Sequence, residues 1–312
     1  MRTLLAGVGR LFSSEEETAD NVEVLLEGGR IVAIGPQHTL AADQEVETYP
    51  CQGALLTAGL VDAHTHPIYL RPRLEEIAER SAGASYTDIA ARGGGIGATV
   101  RETRRASWDD LEQALRRRLR RWLEDGTTTV EAKTGYWLER SGELRALELL
   151  ARLRDDPRLP HLVATFLGAH ALPEEFLGRR QEYVDEVARW YPAAKEVGAS
   201  FADVFCDRGA FTVAETAELM GAAREAGLSH RVHADELALT GATQLAVEQN
   251  AASADHLLRI GPEEIGLLAS SSTVATLCPV TALALGQPPP ARALVAAGVP
   301  LALGTDHNPG TS

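Results

Sequence analysis

A chain of 312 residues with 45% hydrophobic content can bury a large core, and its size fits one big α/β domain with an appendage. Its formal net charge of −14, from 30 basic and 44 acidic residues, speaks against nucleic-acid and anionic-membrane partners. A small anionic substrate stays compatible, because a local arginine outweighs a diffuse field screened over roughly 8 Å at physiological salt.

In chain order, residues 1–56 read as short strands and turns. Residues 22–26, the turn Glu27-Gly28-Gly29-Arg30 and residues 31–34 predict a hairpin, and Pro36 and Pro50 punctuate the remainder of this region. After Gly59 the texture changes to short apolar runs alternating with helical patterns. The candidate strands are residues 55–61, 126–132 around Val130, 162–167, 201–205, 231–233, 254–258, 273–277 and 300–303. Between them, Ser107 can cap a helix whose Leu111, Leu115, Leu119 and Trp122 form one apolar stripe. Arg116, Arg117, Arg118, Arg120 and Arg121 then read as its solvated outer face. Thr212-Val213-Ala214-Glu215 is a capping box opening a helix that stops at Gly227. Eight strand-helix alternations predict a parallel (β/α)8 barrel over residues 57–312, with its site at the C-terminal ends of the strands.

That rule sorts the histidines. Six of the nine, His64, His66, His170, His233, His256 and His307, fall at or just past predicted strand ends, and Asp306 closes the eighth strand. His64 and His66, spaced i, i+2, point the same way and make half of a metal site. His38, His161 and His230 fall outside the pattern and read as surface or structural. Gly93-Gly94-Gly95-Ile96-Gly97 lacks the Gly-Lys-Ser/Thr of a phosphate loop and reads as a flexible loop, or part of a lid, near the barrel mouth. There is no Gly-x-Ser-x-Gly elbow for serine hydrolysis. Cys51, Cys206 and Cys278 form no Cys-x-x-Cys, read as small buried apolar residues, and fit a reducing cytoplasm. No eighteen-residue apolar run or N-terminal apolar segment points to a membrane or to export.

Local motifs carry a more specific likeness. They are Tyr86-Thr87-Asp88-Ile89 leading to Gly93-Gly94-Gly95-Ile96, Glu131-Ala132-Lys133-Thr134-Gly135-Tyr136 and Phe166-Leu167-Gly168-Ala169-His170-Ala171. They continue with Val232-His233-Ala234-Asp235-Glu236, Ser253-Ala254-Asp255-His256-Leu257 and Thr305-Asp306-His307-Asn308-Pro309-Gly310. In this order, over nearly the whole chain, the motifs resemble the amidohydrolase superfamily and, within it, the imidazolonepropionase family of histidine degradation. Residues 29–35 likewise resemble the superfamily's small β-sandwich, so residues 1–56 are expected to be its N-terminal portion. The resemblance implies that His64, His66, His233 and Asp306 hold a metal. Three imidazoles and a carboxylate suit a borderline divalent ion such as zinc, and iron, divalent or trivalent, by the same ligand logic. A second metal would need a bridging group such as a carboxylated lysine on strand four. Lys133 follows strand two and strand four ends Phe205-Cys206-Asp207, so one metal is expected.

The resemblance also implies the reaction: hydrolysis of the cyclic amide of 4-imidazolone-5-propanoate to N-formimidoyl-L-glutamate. His256 would polarise the carbonyl or share proton transfer with Asp306, and Glu236 would move a proton to the leaving ring nitrogen. Orienting His233 is the other role open to Glu236. Arg73 and Tyr136 would hold the propanoate, with Arg71 the neighbouring alternative, and Tyr86, His170, Asn308 and Gly310 would lie near the substrate. The chain ends at Ser312, just past strand eight, so a final barrel helix and the closing sandwich strands of relatives are expected to be missing. Two alternatives stay open: another cyclic amidohydrolase or heterocycle aminohydrolase, and an inactive truncated metal-binding fragment. A homodimer is the default expectation for such an enzyme.

Overall fold

The Gly28-Gly29 turn folds as the pattern predicts, pairing β2 (Thr18–Glu27) with β3 (Arg30–Pro36) antiparallel, Glu27 opposite Arg30. The computed structural model describes residues 2–13, 18–40 and 46–312, apart from the side chains of Tyr86, Thr87 and Ala90. Two units separate by their internal contacts, residues 1–59 and 60–312. In the first, β1 (Arg2–Phe12) lies between β2 and β4 (Val46–Pro50) and also pairs in parallel with β5 (Leu55–Thr57), giving a mixed five-stranded sheet. Leu4 faces Leu25 and Val8 faces Val22 across this ladder, and all four are buried.

The second unit is a parallel eight-stranded sheet curled into a barrel. Its strands are β6 (Leu60–Thr65), β7 (Thr127–Lys133), β8 (His161–Ala169), β9 (Phe201–Cys206), β10 (Ser229–Ala234), β11 (Ser253–His256), β12 (Val274–Leu277) and β13 (Leu301–Leu303), paired in sequence order. The α/β barrel class predicted from the alternation is therefore the fold. One boundary moves: the apolar run 55–61 is two strands, with 55–57 joining the first sheet and 60–65 opening the barrel. Strand β11 also ends sooner than residue 258, because His256 and Leu257 take left-handed backbone angles (φ 75° and 60°).

Helices fill the crossovers. Between β6 and β7 come α1 (Leu74–Ser81), α2 (Tyr86–Ala91), α3 (Gly95–Arg105) and α4 (Trp108–Glu124). The glycine run expected to be a loop therefore starts a helix at Gly95, whose N–H donates to buried Glu76 Oε1 (2.7 Å). Later crossovers hold α5 (Arg140–Leu153), α6 (Arg180–Val197), α7 (Val213–Glu225), α8 (Ala242–Glu248), α9 (Pro262–Ala269), α10 (Pro279–Ala284) and α11 (Ala291–Ala296). Ser107 caps α4 by accepting the Asp110 N–H, and Thr212 and Glu215 form the capping box of α7. The stripe Leu111, Leu115, Leu119 is fully buried, as its spacing requires. Arg118 departs from the solvated face expected for its cluster. Its guanidinium reaches inward, lies 3.5 Å from the Tyr69 ring centroid, and donates to the carbonyls of Pro67, Tyr69 and Leu70 just past the His64–His66 strand.

The first and eighth strands meet at the mouth of the barrel. Thr305 donates to Asp62 through its N–H (2.8 Å) and hydroxyl (2.7 Å), Asp306 N–H donates to His64 O (2.9 Å), and His66 N–H donates to His307 O (2.9 Å). A side chain at Gly304 would meet His64 Cβ at 2.6 Å, so this close approach requires glycine. Closure thus brings Asp306 up against the His64–His66 pair.

Candidate metal centre and its cavity

Three imidazole edges converge where strand parity places them. His64 Nε2 and His66 Nε2 are 3.3 Å apart, His66 Nε2 and His233 Nε2 are 3.3 Å apart, and Asp306 Oδ1 lies 3.5 Å from His64 Nε2 and 3.3 Å from His66 Nε2. All four residues are buried. Burial pushes the pKa of His64 far down and that of His233 down, so both present neutral nitrogens. Although burial opposes its charge, Asp306 is held well below the usual carboxylate range by His66, His256 and His64.

The spacing provides a test of fit. A tetrahedral ion with bonds of about 2.0–2.1 Å sets its ligand atoms about 3.3–3.4 Å apart, the edge found here. Neutral imidazoles with lone pairs facing one another at this distance repel unless a cation lies between them. The tautomers agree as well: His64 Nδ1 is 2.6 Å from Asp255 Oδ2 and His233 Nδ1 is 3.1 Å from Asp203 Oδ2, which leaves each Nε2 lone pair free to ligate. Asp306 Oδ2 accepts from Thr281 Oγ1 (2.6 Å), orienting its other oxygen toward the histidines. The three histidines therefore fit one divalent metal ion, with Asp306 beside two of them.

Beneath this cluster lies a layer that strand-end reasoning did not find. Lys133 Nζ pairs with Glu131 (2.9 Å) and Asp203 (2.7 Å), and Arg231 Nη2 pairs with Asp255 (2.8 Å) and donates to Ala63 O (2.8 Å). Burial works against the Lys133 ammonium, but Asp203 and Glu131 outweigh it and raise its pKa. Lys133 is thus committed to two carboxylates below the cluster. The sequence signal was present: Glu131, Lys133, Asp203 and Arg231 are charges inside otherwise apolar strand runs, which are seldom buried unpaired.

A cavity of about 40 Å³ is lined by His66, His233, Asp306, Glu236, His256 and Arg73, with Tyr136, His170 and Asn308 on its other walls. It shares Ile96, His170, Phe205 and Leu237 with an outer cavity of about 440 Å³. Glu236 Oε1 lies 3.7 Å from His256 Nδ1, and burial lifts the Glu236 carboxyl to about 7. For His256, burial is outweighed by Glu236 and Asp306, which raise its pKa; neither ring nitrogen has a hydrogen-bond partner among the described residues. His170 stacks on His66 (4.9 Å between centroids) with Nδ1 3.0 Å from Gly135 O.

Of the two arginines, Arg73 lies in the cavity and Arg71 is exposed and paired with Glu102. Arg73 donates through Nε to Glu76 (2.9 Å) and through Nη1 to Thr99 (2.5 Å). A side chain at Gly310 would meet its Cζ at 2.8 Å, so the small residue there makes room for the guanidinium. Asn308 organises its own turn, accepting from the N–H groups of Gly310 and Thr311. The Tyr86 side chain lies outside the described residues. His307, counted among the strand-end histidines, instead places Nε2 2.8 Å from the Tyr69 hydroxyl. Cys206 and Cys278 are buried as expected, whereas Cys51 is partly exposed.

The barrel and the histidine cluster at its mouth, which could hold a metal ion, fit one class: a metal-dependent hydrolase with the amidohydrolase fold. The solved N-isopropylammelide isopropylaminohydrolase of Burkholderia multivorans shares that fold, with a TM-score of 0.69 at 20% identity over 99% of this chain and 76% of its own. Among curated proteins, the imidazolonepropionase of Chloroflexus aggregans is 44% identical over 306 residues, covering 93% of this chain and 71% of the relative. That of Geobacillus kaustophilus is 43% identical over 301 residues, covering 94% and 71%. The chain belongs to the imidazolonepropionase family. No family model matches it.

Proposed function

We propose that the chain hydrolyses the ring amide of 4-imidazolone-5-propanoate to N-formimidoyl-L-glutamate. The observation that carries this reading is one cavity lined both by His66, His233 and Asp306 and by the partly buried guanidinium of Arg73. An enzyme of neutral heterocycles has no need of that cation, whereas a propanoate does. His64, His66, His233 and Asp306 would hold the metal, zinc or iron, which when bound supplies Lewis acidity and activates water at neutral pH. Asp306 accepts the proton of the attacking water. His256, with its ring nitrogens uncommitted, holds the carbonyl oxygen as charge develops. Glu236, poised near neutrality by burial, delivers a proton to the departing ring nitrogen. Tyr136 and His170 wall the substrate, Asn308 and Gly310 shape the turn beside Arg73, and we assign a substrate contact to Tyr86 from family resemblance. The chemistry belongs to the barrel unit, and the free cysteines support a cytoplasmic setting. No helix among the described residues is long and apolar enough to cross a membrane.

The test is consumption of 4-imidazolone-5-propanoate by metal-loaded protein, with metal content measured in parallel. Losing a charge-assisted pair worth about 1.5–3 kcal/mol, R73Q should raise KM about 10- to 100-fold. Activity on a neutral heterocycle that is indifferent to R73Q would overturn the assignment.

A further inference from the structure

Asp207 stands just past the end of β9 and is 4% exposed. Its carboxylate accepts four backbone N–H groups from two loops. Oδ2 takes those of Glu236 and Leu237 (2.7 Å each), and Oδ1 takes those of Arg208 (2.6 Å) and Ala238 (3.1 Å). The same segment is fixed from its other side by Asp235, which sits in the left-handed region at φ 51°. Asp235 accepts from the N–H and hydroxyl of Thr240 (2.7 and 3.0 Å) and of Thr243 (2.9 and 2.6 Å). Eight bonds to two carboxylates hold a loop of a few residues, while the Glu236 carboxyl between them faces His256 at 3.7 Å across the cavity. A backbone fixed this firmly fixes where that carboxyl can reach.

We infer that Asp207 is a positioning residue, whose carboxylate clamps the backbone of residues 236–238 and thereby aims Glu236 at the reacting centre. The inference rests on the proton-transfer role assigned to Glu236. Asparagine at 207 keeps one accepting oxygen but turns an amide NH2 toward N–H groups on either choice of flip, so part of the clamp is lost without loss of volume. A misplacement of about 1 Å in a reacting group costs on the order of 100-fold in rate.

The experiment compares D207N, E236Q and the double variant in the metal-loaded full chain, together with amide exchange at residues 236–238. D207N should lower kcat at least tenfold with KM within threefold and metal content unchanged, and the double variant should be within threefold of E236Q. Exchange of the three amides should quicken at least tenfold. Multiplying effects of the two substitutions, or unchanged exchange, would overturn the inference. If D207N does not fold, D207E, which keeps the charge but displaces it by a methylene, is read the same way. A wild-type chain that leaves the substrate intact, or a fully active E236Q, defeats the functional assignment instead, and the exchange result then decides the clamp alone.

Discussion

Replacing Asp255 by asparagine should cost the protein both stability and metal. Asp255 is fully buried and bonds His64 Nδ1 at 2.6 Å and Arg231 Nη2 at 2.8 Å, with Lys133 Nζ at 3.9 Å. Burial alone would raise its pKa, but Arg231 and Lys133 prevail and hold it at about 2 against an ordinary 3.8. At about 1.4 kcal/mol per unit, that difference is on the order of 2 kcal/mol of folding stability. Because the folded carboxyl titrates below the unfolded one, this stabilisation is complete above about pH 4 and disappears as the pH falls toward 2. Breaking a buried pair also leaves Arg231 short of a partner, which brings the expected loss for D255N at pH 7 to about 2–4 kcal/mol. Urea unfolding of chelated protein at pH 7 and at pH 3 measures it, with the gap between wild type and variant smaller at pH 3. Asp255 also fixes the His64 tautomer, so metal affinity should fall about 10- to 100-fold. An unchanged urea midpoint with unchanged metal affinity would refute the account of the ion layer.

G310A tests the packing around Arg73: overfilling should cost about 1–3 kcal/mol of stability, and the displaced guanidinium should raise KM more than it lowers kcat; a KM equal to wild type would show that position 310 does not govern Arg73. His230 tests pH linkage away from the metal cluster. It is 6% exposed, burial lowers its pKa, and its Nε2 lies 3.0 Å from Gln249 O. The unfolded chain therefore binds a proton at His230 before the folded one does, so stability should decline as pH falls below about 6.5. H230N should flatten that decline in urea titrations of chelated protein, and an identical slope would remove His230 as its source.

Strand-end reasoning collected His64, His66, His233 and Asp306 at one mouth because it needs only chain-local information: the parity of His64 and His66, and the rule that barrel sites sit at C-terminal ends. The same reasoning miscounted His307. Its backbone carries part of the barrel closure by accepting from His66 N–H, while its ring turns to Tyr69. Which way a side chain turns after a strand depends on backbone angles no spacing reveals, and Asp235, His256, Leu257 and Asp306 all take positive φ at the mouth. Arg118 escaped for another reason. It flanks the Leu111–Leu115–Leu119 stripe, and its long stem reaches past the rim of that stripe to carbonyls that only the folded loop presents.

The ion layer explains how a protein of net charge −14 can keep three histidines and a carboxylate together out of water. Register places Arg231 beside Asp203 and His233 beside Asp255 on neighbouring strands, so the cations Lys133 and Arg231 sit among Glu131, Asp203 and Asp255. Two of those carboxylates face outward to His64 and His233 and inward to a cation, so each is partly neutralised before it polarises a histidine. An unpaired aspartate there would carry the full cost of burial and would titrate upward, and a protonated carboxyl would no longer enforce the Nδ1–H tautomer. The paired arrangement keeps the carboxylates ionised and the Nε2 lone pairs aimed at one point. The buried charges of β7, β9, β10 and β11 therefore act as supports that hold the histidine edge in place, and the cluster depends as much on their register as on the histidines themselves.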